Sequence, residues 1–83
     1  MTVRDLWQRT LVELRLMTLP STWELIFAQC FPLPPREGIF MLGTHSRYVQ
    51  DLIEQRWHRL PEEVLSSLVG RPVQVTCVLV ERP

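Results

Sequence analysis

The sequence contains no lysine: all nine basic residues are arginine, set against nine acidic residues, so the formal charge is zero. A balanced chain lacks the counterion-release affinity of a dedicated duplex-DNA binder, so any nucleic-acid contact is expected to be local and weak. The all-arginine usage fits either a G+C-rich coding bias or a preference for planar, bidentate contacts. The three glycines are scattered, which leaves no phosphate-cradling loop and no dinucleotide fingerprint. The two cysteines, Cys30 and Cys77, form no CxxC or Cys/His spacing, so neither a zinc site nor a disulfide framework is expected. Both read as small buried apolar residues in a reducing cytoplasm.

No apolar run approaches the ~18 residues that crossing a membrane requires. The start, MTVRDLWQRT, is polar and helical in pattern, unlike a secretory leader. A soluble, cytoplasmic protein without membrane contact is the expectation. Its 83 residues make one small domain, long enough to bury roughly 60% of its unfolded surface in a two-layer arrangement.

Catalytic chemistry has no obvious seat. His45 and His58 fall at opposite ends of one expected helix, too far apart to act on a single atom. Glu62 and Glu63 follow Pro61, where acids complement a helix dipole. No enzyme, cofactor or metal is expected.

Residues 2 to 17 read as a first helix, with Val3, Leu6, Trp7, Leu11, Leu14 and Met17 on one stripe at ~100° per residue. Thr2 suits its N-cap and Asp5 its first turn. Val12 and Leu16 fall on the opposite face, either covered by another part of the chain, such as the C-terminal tail, or forming an exposed apolar patch. After Leu19-Pro20, the Ser21-Thr22-Trp23-Glu24 pattern predicts a capping box for a second helix over about 22–30, with Trp23, Ile26, Phe27 and Cys30 inward.

The FPLPPREG segment is extended edge or connection, and residues 39–42, IFML, read as a strand. GTHSRYVQDLIEQRWHRL, residues 43–60, predicts a third helix. Pro61 starts a fourth that Gly70 ends. In the last segment Val73, Val75, Cys77 and Leu79 alternate with Gln74 and Thr76 as in a strand packed on helices. The expected fold is therefore α+β: a small two-layer α-α-β-β-α-α-β domain, with a three-stranded sheet packed against helices if the proline-rich segment pairs.

Within the third helix, Val49, Leu52, Ile53, Trp57 and Leu60 define the buried face, and the stem of Arg56 lies along it. Tyr48 lies more than ~90° from that face, and Gln55 and Arg59 share its direction at i+7 and i+11. An aromatic with a glutamine and an arginine along one edge has the composition of a protein-binding hot spot. The alternative packs Tyr48 against the proline-rich 31–35 segment. His45, Arg47, Tyr48 and Arg56 together offer charge and one stacking surface for weak single-stranded DNA contact. Gly43-Thr44-His45-Ser46 lacks the second glycine of a GxxG clamp.

Leu6-Trp7-Gln8, Leu19-Pro20, the aromatic-rich second helix and Ser46-Arg47-Tyr48-Val49-x-Asp51-Leu52-Ile53 followed by Trp57 resemble the N-terminal domain, domain I, of the bacterial replication initiator DnaA. That family shows an L-W-x start and an N-x-F-x-x-[DE]-W-[IVL] third helix. The resemblance spans nearly all of residues 1–83 and implies a type II KH-like fold without catalytic activity. It implies self-association, docking of the replicative helicase (DnaB type) or of initiation regulators at the origin, and in some members weak single-stranded DNA binding. It also implies a cytoplasmic, nucleoid-associated protein whose ATPase and duplex-binding domains lie outside this chain.

Carried over by position, Trp7 matches the tryptophan of self-association, and Tyr48, beside Arg47, matches the aromatic that meets helicase and regulators. A glutamate used by some members just after the Leu-Pro pair is replaced by Thr22 and Trp23, which take its place among the expected partner-binding residues. Ser46 stands for the usual Asn, and both are good N-caps. Two further readings stand beside the docking module: a KH-like single-strand binder, and a free-standing regulator that heterodimerises with a full-length initiator.

Overall fold

A computed structural model describes residues 2–82, so the expected 1–83 span extends one residue beyond the described residues at each end. Helix α1, Val3–Met17, starts from the expected cap: the Thr2 hydroxyl accepts the Asp5 amide at 3.1 Å while the Asp5 carboxylate accepts the Thr2 amide at 3.3 Å. Its stripe buries Trp7, Thr10 and Leu14, and the Thr10 hydroxyl is satisfied by the Leu6 carbonyl at 2.7 Å.

Helix α2, Pro20–Leu25, begins one residue before the expected box, and no side chain caps it. Proline at the first helical position is preset for the helix and has no amide to satisfy, so Ser21 is already inside the first turn and cannot serve as the N-cap. The second helix is also shorter than expected: a 3₁₀ turn over Phe27–Gln29 leads into strand β1, Cys30–Pro32. Ile26, Phe27 and Cys30 are buried and Trp23 half-buried, as the periodicity implied.

Strands β2, Ile39–Thr44, and β3, Gln74–Leu79, complete a sheet of order β1-β2-β3. β1 is antiparallel to β2, with Cys30 opposite Thr44 and Phe31 opposite Gly43. β2 is parallel to β3, with Leu42 opposite Cys77. The prolines confine β1 to three residues at a sheet edge. The hairpin turns at Glu37 (φ 36°) and Gly38 (φ 80°), a left-handed pair bridged by Arg36 and Ile39.

The parallel β2–β3 pair needs a long crossover, which the remaining helices supply. Helix α3, Arg47–Leu52, is capped by the Ser46 hydroxyl, which accepts the Val49 amide at 3.2 Å. It begins four residues later than position 43, because Gly43 and Thr44 belong to β2. A π turn over Ile53–Trp57, closed by the His58 amide on the Ile53 carbonyl at 3.0 Å, then leads into helix α4, Arg59–Val69. Pro61 lies inside α4, third in the helix, and is buried rather than first. It has no N–H for the Trp57 carbonyl, and the widened turn falls immediately before it. Gly70 (φ 74°) ends α4 in the left-handed conformation, its amide on the Ser66 carbonyl.

All helices cover one face of the sheet. The core joins Trp7 and Leu14 of α1, Ile26 and Phe27, Val49 and Ile53, and Val64 and Leu65 to the inward strand residues Cys30, Phe40, Leu42, Val75 and Cys77. This is an α+β two-layer domain with a mixed three-stranded sheet. The outward residues of the sheet, among them Phe31, Met41, Gly43, Thr76 and Val78, lie on the side without helices.

Candidate interaction surfaces

The tryptophan expected at a self-association surface is core. Trp7 is 1% exposed, its indole N–H donates to the Cys30 carbonyl at 3.2 Å, and its ring packs 6.1 Å from that of Phe40. A ring this enclosed offers a second copy no edge, so the expectation for Trp7 is corrected in favour of the apolar stripe that also contains it. Its hydrogen bond satisfies a carbonyl on the open edge of β1, and Pro32 and Pro34 further blunt that edge.

Val12 and Leu16 are 62% and 79% exposed, so no tail covers them. One helical turn apart, they form an adjacent pair. Met17, Leu19 and Leu25 are also exposed, so five of the eight exposed large apolar side chains among the described residues fall between residues 12 and 25. Val12 and Leu16, adjacent on the outer side of α1, are the apolar pair that this part of the chain presents to solvent. Sequence periodicity singled out Val12 and Leu16 alone. Met17 falls on the stripe that periodicity predicts to be buried, and the turn of chain that exposes Leu19 depends on Pro20.

Trp23 serves partly to hold α2 on α1. Its indole N–H donates to the Leu11 carbonyl at 2.9 Å, and the Arg15 guanidinium lies 5.2 Å from the ring centroid. Thr22 beside it is half-buried and its carbonyl accepts the Ile26 amide. Neither side chain offers an anionic contact.

At the start of α3, Tyr48 is 65% exposed, so it does not pack beneath the proline-rich segment. Arg47 beside it is exposed as well. Gln55 and Arg59 are exposed, but the straight stripe joining them to Tyr48 does not survive. Gln55 lies within the π turn and Arg59 beyond it, and an i→i+5 turn takes in one extra residue, offsetting later side chains by about 100°. Arg56 is exposed, and its guanidinium lies over Trp57, 5.4 Å from the ring centroid. His45 lies apart from these, its Nδ1 2.6 Å from the Val80 carbonyl and its ring 5.1 Å from Phe31.

The acids near Pro61 have a structural use that spacing did not reveal. Glu62 accepts the Val75 amide at 2.8 Å through Oε2 and faces His58 Nδ1 at 3.2 Å through Oε1. Glu54 accepts the Cys77 amide at 3.4 Å, Gln50 donates to the Cys77 carbonyl at 3.4 Å, and Ser66 accepts the Val73 amide at 2.9 Å. Three helix side chains thus satisfy the outer edge of β3, and Ser66 the residue before it, where a further strand would otherwise pair. Below them the Cys30 thiol, hydrogen-bonded beside Cys77 and buried, is pushed far above the usual thiol range, and it donates to the Ile26 carbonyl at 3.4 Å.

Among the described residues, no group of three or more His, Cys, Asp or Glu side chains converges as a metal site, and no helix is long and apolar enough to cross a membrane. No protein-family model matches the chain, and comparison with curated proteins finds no match.

Proposed function

We propose that this chain is a non-enzymatic protein-docking module of the DnaA domain I type, acting in the initiation of chromosomal replication. The observation that carries the docking role is the exposed apolar surface on the helices. Val12 and Leu16, one turn apart on α1, are exposed, and Tyr48 is exposed on the first turn of α3 beside Arg47. Side chains this large and apolar, held on regular helices, lower the ordering cost of binding a partner.

Self-association uses Val12 and Leu16, and the Tyr48–Arg47 corner docks the replicative helicase or an initiation regulator. The assignment to replication rests on the motif resemblance, Leu6-Trp7-Gln8 and Ser46-Arg47-Tyr48-Val49 above all. Sedimentation of Leu16→Glu against the parent chain tests the first part. Parent protein that associates with rising concentration while Leu16→Glu remains monomeric, at an unchanged melting temperature, supports it; identical sedimentation of the two removes it.

A further inference from the structure

From the cavity at the far end of the sheet from Tyr48 we infer a binding site for a small zwitterion with an apolar body, the chemistry of a free α-amino acid such as leucine or phenylalanine. The cavity, about 290 Å³, lies where the parallel strands begin. Val3 and Leu6 of α1, Ile39 and Phe40 of β2, Val69 at the end of α4 and Val73 before β3 give it an apolar lining. β2 then carries the chain roughly 17 Å to Thr44, so the cavity is distinct from the docking corner on α3. Two side chains of opposite charge, Glu37 and Arg71, complete the lining. Both are exposed at the rim and are not paired with each other: among the described residues the one close ion pair is His58 with Glu62.

The local backbone sets both charges in place. Glu37 has φ 36°, in the left-handed region that glycine and asparagine adopt readily and glutamate does not, and Gly38 follows at φ 80°. A turn suited to asparagine thus carries a longer carboxylate at a conformational cost, a pattern that goes with a use for the side chain. Arg71 lies between left-handed Gly70 and Pro72, and a proline disfavours helical backbone at the residue before it. A 3.5 Å hydrogen bond from the Gln74 amide to the Gly38 carbonyl ties the two rim segments together. The volume limits the occupant. It falls at the foot of the ~300–1,000 Å³ range of small-molecule sites, too small for a nucleotide cofactor and sufficient for about ten non-hydrogen atoms. A purely apolar ligand would leave Glu37 and Arg71 without partners, and a simple anion would meet Glu37 as a like charge. A zwitterion satisfies both: its carboxylate faces the Arg71 guanidinium, its ammonium the Glu37 carboxylate, and its side chain the apolar floor. Because both protein charges are open to water, affinity in the millimolar range is expected.

The test is an amide-shift titration of the isotope-labelled chain with leucine, set beside glycine, N-acetylleucine and leucinamide. Leucine is expected to give saturable shifts at Leu6, Gly38, Ile39, Val69 and Val73, with a dissociation constant of about 1–10 mM. Glycine, which has no apolar body, should give none in the same range. N-acetylleucine lacks the ammonium and leucinamide the carboxylate, so each should bind about threefold more weakly than leucine. Glu37→Asn keeps a residue suited to the turn and should weaken leucine about threefold while leaving N-acetylleucine unchanged. Arg71→Gln, on an exposed loop, should weaken leucine and N-acetylleucine but not leucinamide. Absence of shifts at high millimolar leucine, equal shifts from glycine, shifts located away from the cavity, or unchanged leucine binding by either variant would each overturn the inference.

Discussion

The Trp7 indole N–H donates to the Cys30 carbonyl at 3.2 Å, joining α1 to the edge strand across 23 residues of sequence. Trp7 therefore holds the two layers together. Trp7→Ala is expected to destabilise the domain by about 3–5 kcal/mol, read as a lower urea midpoint. Trp7→Phe keeps most of the volume but strands the carbonyl, costing about 1–3 kcal/mol. A Trp7→Ala variant that melts like the parent yet loses self-association would return the indole to the surface.

Glu62 links α4 to the edge of β3 through the Val75 amide at 2.8 Å. Removing the carboxylate leaves a half-buried amide without its partner, so Glu62→Ala should cost about 1–3 kcal/mol in urea unfolding. Glu63, exposed one residue on, should cost less than about 0.5 kcal/mol when truncated in the same assay. Equal effects at the two positions would show that both acids act only on the helix dipole.

Much of this architecture is legible in the sequence, and the misses have physical causes. The first helix and its Thr2–Asp5 cap follow from periodicity and local hydrogen bonding, both short-range. The start of α2 differs from the expected one because Pro20 and Ser21 compete for the helix start and proline's fixed φ decides it. The Tyr48–Gln55–Arg59 stripe assumed 3.6 residues per turn, and the π turn before Pro61 breaks that period. Whether the segment holding Phe31 pairs as an edge strand is not decided by its prolines, which suit an edge and a connection equally. Only the register placing it opposite Gly43 shows that its ring has room to lie there.

The Cys30 thiol is held protonated, chiefly by the neighbouring Cys77 sulfur and then by burial, so its pKa is raised from the ordinary value of 9.0, while that of Cys77 beside it is lowered. A raised acid binds its proton more tightly in the folded state than in the unfolded one. Stability is therefore unaffected by this group below pH 9.0 and falls as pH rises above it. Urea midpoints measured from pH 7 to pH 10.5 should decline above about pH 9, less steeply in Cys30→Ala. Both thiols should also resist a disulfide reagent until the domain unfolds, because both are buried. Rapid native-state labelling would contradict this.

Tyr48, 65% exposed on the first turn of α3, carries the central claim. The most direct measurement is calorimetric titration of parent and Tyr48→Ala chains with the replicative helicase, alongside thermal melts of both. The docking account predicts melts that agree to within about 0.5 kcal/mol and a binding signal that falls at least tenfold in the variant. Undiminished binding by Tyr48→Ala, or a melt that collapses with the substitution, would contradict it.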